Sequence, residues 1–276
     1  MRLLVSGILS LAAVSAGTAS ASGEIPITIL NTWQAPYAQQ ILGMSVQGDI
    51  YVFRSNLDGK IIRFDPDDGS YIGELAIPTA YRSGVGLALL GDGFYIDCDT
   101  SPYIYRNPGA GAWDSFPNPA ALGGRGMSND PGNWTTIVEG YSWAADRGSF
   151  SFDSDGSGSE YSSLEGIWGT ISGIAAHWVA TDGGHDQPFA MVVTSSDQHE
   201  FFFYWRSGST YYLYGQEPCP VEVQQSLGLA FAPERNTFFW SYTGMNGQYY
   251  VSELFMPILG DLESTTWGAI KSGFDD

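Results

Sequence analysis

The acidic segment 153–160 has the residue types and the spacing of a cation site. It reads DSDGSGSE. Oxygen-bearing side chains at its first, third and fifth positions and a glycine at its sixth match the opening of a Ca²⁺-binding loop. The twelfth position of such a loop is normally a bidentate glutamate, and here it is Leu164. The pattern favours an acidic hairpin turn, with a Ca²⁺ site as the alternative. Its ligands would be Asp153, Asp155, Ser157 and Glu160.

The three histidines are the second group that could perform chemistry. Neighbouring His and Asp side chains can hold a metal ion or act as a base. The sequence has no HxH, HxxxH or HExxH spacing to favour a metal in particular. We therefore predict a ligand-binding loop in this region. Its residues would be His177, Asp182, His185 and Asp186.

No catalytic residue can be named from the sequence. The motifs GxSxG, GxGxxG and the P-loop are absent. Asp97 and Asp99 lie two apart in an alternating strand pattern, which favours a strand with one wet face over an acid–base pair. The aromatic runs 201–205 and 211–214 favour packing between sheets over a carbohydrate site.

Composition and charge narrow the classes of partner. The formal net charge is −19, which disfavours nucleic acid and anionic membrane surfaces as partners. Aromatic content of 14% and 35 glycines indicate strands and tight turns rather than helices.

The N-terminus has the pattern of a signal peptide. Arg2 is followed by an apolar run over residues 3–14 and by the small residues Ala19-Ser20-Ala21. We predict cleavage after Ala21 and a secreted, periplasmic or cell-surface protein that does not span a membrane. We expect no disulfide between Cys98 and Cys219, because they fall in distant repeats.

A repeated unit organises the rest of the chain. Each copy begins with a glycine and a short apolar strand, and the steps between copies are 43, 40, 47 and 55 residues. Four antiparallel strands in such a period predict an all-β propeller of five blades, with six as the alternative. The start of the third copy has two candidates, Gly126 and Gly140, and the spacing favours Gly126. The anchor glycines are then Gly43, Gly86, Gly126, Gly173 and Gly228.

The strand predicted at residues 25–33 precedes the first repeat. It could complete the last blade and so close the ring from the N-terminus. The alternatives are that residues 255–263 supply this strand, or that both segments form a sixth blade. We assign residues 22–259 to the propeller and residues 260–276 to a C-terminal tail with a helical turn.

The unit GLALLGDGFYI at residues 86–96 and the segment DGKIIRFDPDDG at residues 58–69 resemble NHL-like and TolB-like β-propellers. The tail resembles the C-terminal ends of secreted bacterial repeat proteins. The resemblance implies an exported propeller, but this fold hosts both binding modules and enzymes.

We expect a monomeric, non-enzymatic binding or scaffold module for a protein, glycan or cell-surface partner. The alternative is a glycan-acting hydrolase or lyase, or a lactonase-like hydrolase, at the central mouth where the inner strands begin. These strands start with Met, Ser, Leu, Ala and Ile rather than ionisable residues, which favours binding.

Overall fold

The chain is a five-bladed β-propeller. The computed structural model describes residues 25–35, 40–54, 59–77, 84–91, 93–109, 112–130, 135–178, 189–207 and 210–256. Over these ranges it has five separate four-stranded sheets, each antiparallel, and no helix long and apolar enough to cross a bilayer. Five blades are therefore confirmed. The predicted signal peptide and the C-terminal tail lie outside the described residues.

Twenty strands lie within the described ranges. They are β1 (Thr28–Gln34), β2 (Ile41–Gln47), β3 (Asp49–Arg54), β4 (Lys60–Phe64), β5 (Tyr71–Ala76), β6 (Gly84–Leu90), β7 (Gly93–Cys98), β8 (Tyr103–Asn107), β9 (Asp114–Pro117), β10 (Gly124–Asn129), β11 (Thr136–Trp143), β12 (Asp146–Asp153), β13 (Glu160–Ser163), β14 (Ile171–Trp178), β15 (Phe189–Ser195), β16 (Glu200–Ser207), β17 (Thr210–Pro218), β18 (Val223–Ala232), β19 (Thr237–Gly244) and β20 (Tyr249–Phe255).

Each blade runs outward from the centre in chain order. The first strand of every repeat is the innermost, and β2, β6, β10, β14 and β18 contact one another in a ring. Gly126 lies in the innermost strand of the third blade, whereas Gly140 lies in its second strand. The spacing argument for Gly126 is therefore confirmed.

The five anchor glycines lie where the inner strands of neighbouring blades pack closely. A Cβ built on Gly173 would lie 2.6 Å from the carbonyl oxygen of Leu227, and one on Gly228 would lie 2.7 Å from that of Leu42. On Gly43 it would lie 3.0 Å from the backbone of Gly86. Real Cβ atoms do not approach backbone atoms to within 2.7 Å, so these positions require glycine.

Buried hydroxyl groups tie four of the five blade junctions together. Each hydroxyl bonds a backbone group of the adjacent inner strand, so that backbone groups without a ladder partner are satisfied. The pairs are Ser45 Oγ with Leu89 N at 3.2 Å, Ser128 Oγ with Ala176 N at 3.1 Å, Thr194 Oγ1 with Leu227 O at 2.9 Å, and Ser241 Oγ with Ile41 O at 2.7 Å.

The N-terminal strand closes the ring. β1 pairs antiparallel with β20, from Thr28 opposite Phe255 to Gln34 opposite Tyr250, and so is the fourth strand of the last blade. Ile25, just before it, is buried in the core of that blade. The prediction of an N-terminal closing strand is confirmed, and the alternative closure by residues 255–263 is wrong because β1 occupies that position.

Replacing Gly173 by alanine should destabilise the fold by about 2 kcal/mol or more, because the added methyl group collides with rigid backbone. The matched control is Gly73→Ala, on an outer strand with no atom within 4 Å of the added Cβ. Urea unfolding of both variants measures the difference. Equal stability of the two would contradict the packing role of the anchor glycine.

Deleting residues 25–34 should lower the melting temperature of the whole domain, because it exposes the edge of β20 and removes Ile25 from the core. Adding a synthetic peptide of residues 25–35 should restore part of the loss. An unchanged melting temperature after the deletion would show that β1 is dispensable.

Candidate functional site

The mouth of the propeller is a cavity of about 220 Å³ where the inner strands begin. Every blade contributes to it the residue that immediately precedes its anchor glycine. Each inner strand has a β-bulge at or beside this residue, and bulges re-aim side chains. The five residues are Leu42, Val85, Arg125, Ser172 and Leu227.

Polar side chains surround this inner ring. The Gln40 amide donates to Gln225 Oε1, and the Ser196 hydroxyl donates to the carbonyl of Thr170 at 3.5 Å. Asp99 is exposed at the same cavity. The mouth therefore combines the aliphatic side chains of Leu42, Val85 and Leu227 with surrounding amide and hydroxyl groups, one cation and one anion.

Arg125 is the one ionisable residue of the inner ring. Its Nη1 donates to the carbonyl of Gly124 at 2.5 Å and to that of Leu122 at 3.4 Å, which holds the guanidinium at the mouth. Sequence reasoning missed it, because the anchor glycine was treated as the start of each inner strand. The signal was present: the residue before each anchor varies in chemical type from repeat to repeat.

Two carboxyl groups meet behind the inner strand of the third blade. Asn118 Nδ2 donates to Asp97 Oδ1 at 3.1 Å and to Glu139 Oε1 at 3.0 Å. A Cβ built on Gly124 would lie 2.4 Å from an oxygen of each carboxyl. Asp97 is 1% exposed and Glu139 is fully buried. The pair joins the second and third blades. None of the four hydroxyl links described above lies at this junction.

Burial raises the pKa of both carboxyl groups. Burial raises the pKa of Asp97 to about 6, and this effect outweighs the hydrogen bonds with Glu139 and Asn118, which lower the pKa. Burial also raises the pKa of Glu139 well above its usual range, and the nearby charge of Asp97 raises it further. Two carboxyls this close cannot both ionise readily, so burial favours a proton held by the pair, and Asp97 Oδ2 and Glu139 Oε2 have no other hydrogen-bond partner among the described residues.

The prediction of a wet face for Asp97 is wrong. Tyr95, which shares its face, is also buried, and so are Ile96 and Cys98 on the other face. A middle strand of a propeller blade packs against a neighbouring blade on both sides. Side chains that alternate along such a strand therefore point to two faces that are both buried. Asp99 is exposed because it follows the end of β7.

The predicted Ca²⁺ loop forms the turn between β12 and β13. Asp155 Oδ1 accepts the Ser157 N–H at 2.9 Å, and Asp153 N donates to the Ser157 carbonyl at 2.9 Å. Within the described ranges, no three His, Cys, Asp or Glu side chains are grouped to hold a metal ion. The Ca²⁺ ligands Asp153, Asp155, Ser157 and Glu160 stay a prediction.

Of the predicted histidine loop, the structure describes only His177. His177 is next to last in β14, where its backbone pairs with Ala190, whereas the first residues of β14 line the mouth. About 3.3 Å per residue separates the two ends of such a strand. Asp182, His185 and Asp186 lie outside the described residues.

The aromatic runs are mainly core, as predicted. Phe201, Phe202, Phe203 and Tyr204 are buried between blades. Trp205 and Tyr212 are exposed and stack on each other, with ring centroids 4.7 Å apart. Cys98 and Cys219 are free thiols, as expected, and burial raises the pKa of each to about 12.

Comparison with known proteins supports the fold. No protein-family model matches the chain, and no curated protein matches it significantly. The crystal structure of Myxococcus xanthus glutaminyl cyclase is similar, with a TM-score of 0.57 and 12% identity over 84% of this chain and 98% of that one. At this identity the likeness is one of fold, and it agrees with the resemblance to NHL-like propellers.

Two further solved structures are more distant. Virginiamycin B lyase from Staphylococcus aureus has a TM-score of 0.47 and 14% identity over 86% of this chain and 76% of that one. A nidogen/laminin complex has a TM-score of 0.49 and 14% identity over 80% of this chain and 81% of the matched one.

The buried carboxyl pair should make stability fall as the pH rises. A carboxyl group whose pKa is raised on folding stabilises the folded state when it is protonated. For Asp97 this stabilisation is complete below the pKa of the unfolded chain, about 4, and it is lost as the pH rises through the folded pKa of about 6. We expect wild type to lose on the order of 1 to 3 kcal/mol, relative to the Asp97→Asn, Glu139→Gln double variant, between about pH 5 and about pH 8.

Denaturant unfolding at both pH values measures this difference. The control is Glu74→Gln, which changes an exposed carboxyl that pairs with Lys60. A stability difference that does not change with pH would contradict the shared-proton account of Asp97 and Glu139.

Proposed function

We propose that this protein is an exported, monomeric binding module whose ligand or partner docks at the mouth. The predicted signal peptide at residues 1–21 supports export. The observation that carries the proposal is the convergence of one side chain from every blade on a single cavity. A site assembled from the whole ring needs the complete fold, and a concave pocket on which polar groups converge is a usual form of a ligand site.

The chemistry of the mouth supports binding over catalysis. Glycoside hydrolysis needs two carboxyl groups facing a scissile bond across roughly 5 to 9.5 Å. Only Asp99 reaches the mouth as a carboxylate among the described residues that line it. Asp97 and Glu139 are sealed behind Gly124 and do not line the cavity, so they hold two blades together.

The location of the mouth also favours it over the other predicted sites. It lies among strand ends fixed by the glycine ring, so its side chains are preorganised before any ligand arrives. The fold alone does not select a function, since propellers serve as enzymes and as binding proteins. The identity of the residues at the mouth therefore carries the proposal.

Filling the mouth should abolish ligand binding. The Leu42→Trp variant places an indole in the cavity, and the control Ile72→Trp makes the same kind of change on an exposed outer strand. A ligand at a hundredfold excess over its Kd stabilises a protein by about 2.7 kcal/mol, so a thermal-shift screen detects it.

The screen uses neutral and charged oligosaccharides, peptides and small metabolites. Hits on wild type should also stabilise the Ile72→Trp variant and should lose their effect on Leu42→Trp. Hits that stabilise Leu42→Trp as strongly as wild type would place the binding site away from the mouth.

A further inference from the structure

Two exposed tryptophans flank the mouth on one side. Trp168 is 71% exposed and Trp143 is 54% exposed. Trp168 is two residues before Thr170, which lines the cavity. Trp143 follows Ser142, whose hydroxyl accepts the N–H of Ile171 at 3.0 Å, and Ile171 also lines the cavity. Both tryptophans therefore lie on the mouth face, close along the chain to residues at the cavity, and neither of them lines it.

The loop that presents Trp168 is fixed through its backbone. Gln198 Oε1 accepts the N–H groups of Trp168 and Gly169 at 2.9 and 3.0 Å. Asp197 Oδ2 accepts the N–H of Thr170 at 2.8 Å. The Arg147 guanidinium donates to the carbonyls of Trp168 and Gly169 from the opposite side.

The hairpin that presents Trp143 belongs to the same assembly. Arg147 Nη1 also donates to the carbonyl of Ala144 at 3.0 Å, which joins this hairpin to the loop of Trp168. A Cβ built on Gly123 would lie 3.4 Å from the Cβ of Trp143. Gly123 lies two residues before Arg125, so the hairpin borders the polar side of the mouth.

These contacts fix the backbone that carries Trp168 and tie it to the hairpin of Trp143, and both indoles are exposed. Exposed aromatic rings on rigid supports lose little conformational entropy when a ligand covers them, and such rings dominate many recognition sites. A flat indole face fits the apolar C–H face of a sugar ring, and its polar N–H remains available to hydroxyl groups.

The charges at the mouth select the class of ligand. One cation, Arg125, and one anion, Asp99, line the cavity, and its other polar residues are uncharged amides and hydroxyls. The net charge of −19 repels polyanionic ligands at a distance. A neutral molecule rich in hydroxyl groups matches both features, since amides and hydroxyls donate to and accept from its hydroxyl groups.

We infer that the mouth face binds a neutral glycan, with one sugar residue in the cavity and an adjoining residue stacked on Trp168. This inference rests on the proposed function and names the ligand class of the same site. Trp143 extends the stacking surface to a further residue of the glycan.

The stacked pair of Trp205 and Tyr212 supplies a matched control. Trp205 is also exposed and also belongs to the fourth blade. It lies toward the end of β16, opposite Ala190 of β15, and so far from the mouth. Its ring is partly covered by Tyr212, at a centroid distance of 4.7 Å.

The test is calorimetric titration of wild type and variants with neutral gluco-, xylo-, manno-, galacto- and chito-oligosaccharides. We expect at least one series to bind wild type. Trp168→Ala should weaken that binding by about tenfold or more, and Trp205→Ala should leave it unchanged. The melting temperature of Trp168→Ala should equal that of wild type, because the indole is mostly exposed.

Failure of the glycan inference is distinguishable from failure of the proposed function. If no neutral oligosaccharide binds, or if Trp168→Ala binds as tightly as wild type, the glycan inference is overturned. The proposed function survives that result if a peptide or an anionic oligosaccharide shows binding that the Leu42→Trp variant lacks.

Discussion

Close contact between backbones at the centre of the ring is the constraint on which the rest of this structure depends. Five inner strands must meet around one axis, and they do so at the anchor glycines, where a methyl group would strike the next blade. Because this contact is made by backbone atoms, the spacing of the blades does not depend on the side chains that surround it. The residue that precedes each anchor is then left to face the mouth.

This central contact also buries polar groups, and each blade junction must satisfy them. Four junctions use a serine or threonine hydroxyl bonded to backbone. The remaining junction uses Asn118 between two carboxyl groups. A buried pair of charges would cost far more than a hydroxyl, and the raised pKa of Glu139 keeps that site partly neutral. Burial at this blade junction is thus a structural cause of the perturbed acidity.

Sequence periodicity predicted the architecture because the same local requirement recurs in every blade. The anchors Gly43 to Gly228, the five blades and the closing strand all follow from that period. The site was harder to predict. Asp97 and Glu139 are distant in sequence and meet only through blade packing, and strand alternation cannot tell a wet face from a second buried one. Trp168 lies in a connection with no repeated pattern, so nothing in the period points to it.

The residue before each anchor glycine differs from blade to blade, whereas the glycine contact is the same in all five. This explains how the fold can keep its central packing while the residues that face a ligand change. Here that residue set combines three aliphatic side chains, a serine and Arg125. A crystal structure with the tightest-binding ligand tests this claim most directly. The account predicts ligand density at the mouth, in contact with Arg125 and Leu42. Density confined to another surface, such as the Trp205–Tyr212 stack or the turn at residues 153–160, would contradict it.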